Sequence, residues 1–166
     1  SIEGTAMPEI PRIVPGDVHR IIPGLMLWDM WPVQLVDGLT VAIDGWEIWV
    51  IMCAADDLHP DARHAVARLR LAMYRAGEWR DCGYLLPDHL NPGAREWAGS
   101  TVYDPATGAL TLFYTATGRR DETTLSFEQR LFQTTGRLVI DNGMVRTTGW
   151  SAPFENVVSD DLHYMV

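Results

Sequence analysis

The sequence predicts an all-β fold, on three observations. Its apolar stretches are short, and many alternate with polar residues, the period of a strand with one buried face. Turn pairs such as Asp37-Gly38, Asp44-Gly45 and Asn142-Gly143 separate them about every 8–12 residues, the spacing of a sandwich, barrel or propeller. Helical spacing occurs only at Ala62, Ala65, Val66 and Leu69, and there it overlaps an alternating pattern. These features do not choose among the three β architectures.

Residues 1–24 carry prolines at 8, 11, 15 and 23 with little periodicity, and read as an extended arm over a body formed by 25–166. Leu25 to Val33 is the first strand, and Pro32 ends it or marks an edge, because proline has no amide to donate. Asp29 stands in this run between Trp28 and Trp31. Burying a carboxylate among indoles is costly unless it is paired, so Asp29 is either a turn or capping residue or an acid kept for chemistry.

Thr40 to Ile43 lies between the turns at Asp37-Gly38 and Asp44-Gly45, and Trp46 to Ala54 follows as a strand buried on both faces. Asp57 is a candidate cap for a short helical turn at 60–64, with a strand over 66–75 in which Leu69, Leu71 and Met73 alternate with Arg68, Arg70 and Ala72. His59 and His64 read as solvated loop residues. Tyr84 to Pro87 is a short strand, Asn91-Pro92-Gly93 a loop, and Glu96 to Tyr103 a strand. The turn at 104–108 returns the chain into Leu110 to Thr115. Thr124 to Thr134 alternates again, Thr135-Gly136 and Asn142-Gly143 close two more hairpins, and a strand begins at 162–166.

A chain of 166 residues has the length of one domain, and 47% hydrophobic residues allow a sizeable core. Seven tryptophans suit such a core, and they also suit sugars, whose CH faces stack on aromatic rings. A formal charge of −9 argues against nucleic acid and anionic membranes as partners. No apolar run reaches the ~18 residues of a transmembrane helix, and the first residues lack the basic start and apolar segment of a signal peptide. Cys53 and Cys82 have no metal spacing and read as reduced core residues, with a disulfide as the alternative. No cofactor or metal is expected.

The segment Trp28-Asp29-Met30-Trp31-Pro32 resembles the nucleophile motif of glycoside hydrolase family 68, the levansucrases, inulosucrases and bacterial β-fructofuranosidases. Asp44-Gly45-Trp46-Glu47, Arg95-Glu96-Trp97-Ala98-Gly99-Ser100 and Phe127-Glu128-Gln129-Arg130-Leu131-Phe132 are similar to later segments of that family, in its order and spacing. The likeness covers the family's N-terminal half and runs from about Pro23 to the end of the chain. It implies a five-bladed β-propeller and a secreted or periplasmic bacterial protein. It also implies a retaining cleavage of sucrose through a fructosyl-enzyme. Asp29 would be the nucleophile, and Trp28 and Trp97 would wall the fructosyl subsite. Ala98 stands where the family usually has a serine that hydrogen-bonds the nucleophile, and Ser100 or a backbone amide is the candidate substitute.

Two elements of the family pattern do not appear. No Arg-Asp-Pro motif supplies the aspartate that stabilises the transition state, since Arg80-Asp81 and Arg120-Asp121 precede Cys82 and Glu122. None of Glu47, Glu96, Glu122, Glu128 and Glu155 matches the acid/base glutamate. Five blades of about 40 residues need roughly 200. The resemblance therefore implies a partial propeller completed by a second polypeptide that carries the remaining blades and both missing carboxyl groups. The alternative is a non-catalytic sugar-binding or regulatory propeller subunit, which Ala98 favours. Some family members bind calcium, but no oxygen-ligand cluster for it appears here.

Overall fold

The computed structural model describes residues 9–158, 160 and 162. Residues 1–8 of the arm, and the strand expected at 162–166 beyond Leu162, lie outside them. Residues 9–24 are irregular apart from a 3₁₀ turn at Pro15–Asp17. Eleven short elements follow: β1 (Leu25–Pro32), β2 (Ala42–Ile43), β3 (Trp46–Ala55), α1 (Pro60–Arg63), β4 (Arg68–Arg75), β5 (Glu78–Tyr84), β6 (Arg95–Asp104), β7 (Ala109–Thr117), β8 (Gln129–Asp141), β9 (Met144–Thr148) and β10 (Phe154–Glu155). The fold is all-β, as predicted.

The strands form two antiparallel sheets. One runs β1-β3-β4-β5 with β2 also on β3; the other runs β10-β8-β7-β6 with β9 also on β8. Each has five strands, four of them in one continuous order, the number in a propeller blade. The β2–β3 and β8–β9 turns adopt the positive-φ pair of a type I′ hairpin, at Asp44 and Gly45 (51° and 78°) and at Asn142 and Gly143 (49° and 74°). Gln34 joins the sheets: its amide donates to the Thr101 carbonyl at 3.2 Å, and the Tyr103 amide donates to its carbonyl at 2.8 Å.

The main core lies between the facing sheets and is built from Ile48, Val50, Leu69 and Leu71 on one side and Leu110 and Leu112 on the other. A second cluster, with Ile51, Cys53 and Ala72, packs on the far face of the first sheet beneath Ile22 of the arm. Strand β3 is therefore buried on both faces, which is why its second half is continuously apolar. Both cysteines are free and buried, and burial pushes the Cys53 thiol up to about 11, away from reactivity.

Four local expectations change. His59, not Asp57, caps α1, its Nδ1 accepting from the Asp61 amide at 3.3 Å. The strand expected at 84–87 lies upstream at β5, because Ala76 and Gly77 take the hairpin turn, with φ of 47° and 90°. Leu85 and Leu86 then bury as a loop, with the Leu85 amide donating to the Leu69 carbonyl at 2.9 Å. The alternation at 124–128 belongs to a loop, and β8 starts at Gln129. Thr135-Gly136 makes no turn; β8 runs through it. Gly136 is there for close approach, since a Cβ would stand 2.6 Å from the Trp150 ring.

Candidate active site

The site begins with two β-bulges. In β1, Leu27 opposes Cys53 and Met30 opposes Ile51, so Trp28 and Asp29 share the space opposite Met52. A regular strand would send neighbours to opposite faces. The bulge instead lets Trp28 and Trp31, three residues apart, both pack on the main core. Asp29 is left exposed between them, and no hydrogen bond or ion pair reaches its carboxylate among the described residues.

In β6 the register moves between Trp97, opposite Thr115, and Gly99, opposite Tyr114, with Ala98 as the extra residue. Trp97 and Ser100 then lie on one face of the sheet, Ser100 exposed opposite Phe113. Ala98 is half-buried at the bulge. Gly99 is demanded by the backbone here: a Cβ would overlap the Phe113 carbonyl and stand 2.8 Å from Tyr114 Cα. Gly99→Val is expected to lower stability by about 1–3 kcal/mol, read as a lower urea midpoint at unchanged slope. A wild-type midpoint would refute the close approach.

Trp28 and Trp97 come from different sheets, and the imidazole of His64 spans them. His64 follows α1 on a 3₁₀ turn at 64–66. Its ring centroid is 5.2 Å from that of Trp28, tilted 45°, and 6.5 Å from that of Trp97, edge-on at 77°. His64 is exposed, as expected of a loop residue, yet it stands against both candidate wall tryptophans. Sequence spacing carried no sign of this, because the contacts join β1, the turn after α1 and β6. The indole nitrogen of Trp97 is buried without a partner among the described residues.

Glu96, next to Trp97, points to the other face and is 2% exposed. One carboxylate oxygen accepts from the Leu69 amide at 2.9 Å, and the other lies 3.4 Å from Arg68 Nε. Burial pushes its pKa up, while the Leu69 amide and Arg68 pull against that shift. Glu96 thus ties β6 to β4 and is spent on structure. Glu47 hydrogen-bonds the Trp49 indole at 3.1 Å, and Glu122 and Glu128 pair with arginines. Among the described residues no group of His, Cys, Asp and Glu could hold a metal ion.

The arrangement offers an accessible, unpaired carboxylate beside a wall of rings. Such a pair can hold an apolar sugar face and attack its anomeric carbon.

A family model described as Levansucrase/Invertase matches residues 2–166. An extracellular sucrase of Zymomonas mobilis is 30% identical over 115 residues, covering 68% of this chain and 27% of that protein. Levansucrase LscA of Pseudomonas savastanoi pv. glycinea is 30% identical over 110 residues, 55% of this chain and 26% of that protein. The chain thus spans about a quarter of the length of these relatives. Among solved structures, the inulosucrase from Halalkalicoccus jeotgali bound to kestose aligns with a TM-score of 0.81 at 34% identity, over 96% of this chain and 39% of that one. The levansucrase from Gluconacetobacter diazotrophicus aligns with a TM-score of 0.74 at 26% identity, over 90% and 36%.

Proposed function

The chain belongs to the Levansucrase/Invertase family, glycoside hydrolase family 68, and from that membership we propose that it is the nucleophile-bearing part of an exported enzyme that transfers fructosyl groups from sucrose. The observation that carries this reading is the exposed, unpaired Asp29 at the β1 bulge, flanked by the Trp28–His64–Trp97 wall. Export rests on relatives named as an extracellular sucrase and levansucrases.

In the first half-reaction an Asp29 oxygen attacks C2 of the fructosyl unit. The bond from C2 to the bridging oxygen breaks, and a general acid protonates that oxygen as glucose leaves. Trp28 and Trp97 hold the furanose ring and keep water from the reacting carboxylate. Water or a sugar hydroxyl then attacks C2 and frees Asp29, with the same acid/base group taking the proton. Retaining glycosidases hold their two carboxyl groups about 5–5.5 Å apart, and among the described residues Glu47, Glu96, Glu122 and Glu128 are each held by an indole, an amide or an arginine instead. We assign the acid/base glutamate and the transition-state aspartate to the polypeptide of the remaining blades.

That polypeptide has a surface to cover. Phe113, Leu131 and Phe154 lie on the outer face of the second sheet, 36%, 49% and 65% exposed: Phe113 and Phe154 flank Gln133 of β8, and Leu131 is two residues along β8 from it, on the same face. An apolar sheet face of this kind suits a further blade.

Ala98 supports a second reading, a non-catalytic sugar-binding subunit, because the bulge beside Trp97 carries no hydroxyl. One experiment separates the two. The chain, assembled with the remaining blades, is incubated with sucrose, quenched in acid and digested. A fructosyl adduct on the peptide containing Asp29 is the expected result. Sucrose binding without adduct or glucose release would establish the second reading.

A further inference from the structure

The aromatic wall does not stop at Trp97. The ring of Phe127 lies 6.0 Å from that of Trp97, at a 38° tilt, so the two rings adjoin without stacking flat on each other. Phe127 is 51% exposed. An exposed phenylalanine on a loop of ten residues or so would ordinarily move freely, but this loop is tied at several points. The Gly118 amide donates to the Glu128 carbonyl at 2.8 Å. Across the same neck, Arg119 forks onto both carboxylate oxygens of Glu128, at 3.0 and 2.9 Å.

From beneath, Arg95 holds the loop. Its side chain is 2% exposed, and its guanidinium donates to Glu122 at 3.1 Å and to the Ser126 carbonyl, next to Phe127. Its Cζ sits 5.4 Å from the centre of the Phe127 ring. Gly118 leaves the room this needs, since a Cβ there would overlap the Arg95 guanidinium. A buried cation and a shaped loop thus hold one apolar ring in solvent, beside the wall of the fructosyl subsite. Burial does not explain that placement, whereas a preorganised platform for a ligand does.

We propose that Phe127 is the stacking platform for the sugar unit beyond the fructosyl residue, the acceptor saccharide in transfer, and so sets how the fructosyl group divides between sugar and water. The inference rests on the fructosyl-transfer reading above. The chemistry it calls for is neutral and flat: a pyranose or furanose CH face against a phenyl ring. Trp97 holds the fructosyl ring, and the next ring along the saccharide reaches Phe127. The Arg119–Glu128 fork at the loop neck is already paired and leaves the platform without net charge.

The test compares Phe127→Ala, Phe127→Leu and Phe127→Trp in the complete assembly with sucrose. Glucose release counts every turnover, and free fructose counts those that end in water. Their difference is transfer. For Phe127→Ala and Phe127→Leu the ratio of transfer to hydrolysis is expected to fall about 3- to 10-fold, the size of a lost aromatic contact, and Phe127→Trp is expected to restore it. A parallel titration with kestose and with fructose, followed by tryptophan fluorescence, needs no turnover. Kestose should bind about 3- to 10-fold more weakly to Phe127→Ala, with fructose binding little changed. Absence of glucose release from the wild type would end the catalytic reading alone, leaving the titration to decide Phe127. An unchanged kestose affinity, or equal losses for the Trp and Ala variants, overturns the platform.

Discussion

Asp29→Asn is expected to cut glucose release from sucrose by roughly 10⁴- to 10⁶-fold, the loss seen when a covalent nucleophile is removed. Asparagine keeps the shape of the side chain and its place at the bulge, but its amide forms no glycosyl ester. Fold stability should hardly move. The side chain is exposed and, among the described residues, makes no hydrogen bond or ion pair, and substitutions at such positions usually stay within about 0.5 kcal/mol. The pairing of a collapsed rate with an unmoved melting midpoint is the diagnostic, because an Asp29 that merely capped a turn would show the reverse. Residual turnover within tenfold of wild type, set against the much larger loss expected of a missing nucleophile, would take Asp29 out of the mechanism.

Glu96→Ala is expected to have the largest effect on stability, about 3 kcal/mol, from a buried amide left without its acceptor and the cavity that a fully buried side chain leaves behind. Here the stranded group is the Leu69 amide, while Arg68 keeps Asp88 and the Leu86 carbonyl as partners. Glu96→Gln separates shape from charge through pH. The folded pKa of Glu96 stands above its usual 4.5 because burial penalises the carboxylate. The folded state therefore holds this proton more tightly than the unfolded chain does. The stability it contributes is fully present below 4.5 and is lost as pH rises through the folded value. Glutamine carries no such proton. Relative to wild type, Glu96→Gln should thus gain stability as pH rises from below 4.5 to neutrality, measured as the difference in urea midpoints. A difference that stays flat, or moves the other way, would sink this account of Glu96.

Much of the architecture was legible in residue order because β-sheets announce themselves locally. Alternation marks a face, and Asp44-Gly45 and Asn142-Gly143 mark hairpins whose positive φ few other pairs adopt. The errors have one physical root. A Thr-Gly pair reads the same whether glycine turns the chain or only makes room, and at Gly136 it makes room for Trp150. Tyr84 to Pro87 is apolar whether it pairs in a ladder or buries as a loop, and the Ala76-Gly77 turn settled that in favour of the loop.

For the site, residue order alone pointed to the unusual acid between two tryptophans, to the second motif around Trp97, and to the family they resemble. Its arrangement was decided in three dimensions. Trp28 and Trp31 reach one core only because the β1 bulge breaks the two-residue period, and Trp97 and Ser100 share a face only through the β6 bulge. His64 meets Trp28 and Trp97, and Arg95 holds the loop of Phe127, through contacts between residues far apart in the chain. Periodicity and turn chemistry act over a few neighbouring residues, so a sequence can state them outright. Which rings meet across two sheets depends on bulges and packing, and those exist only once the sheets have closed on each other.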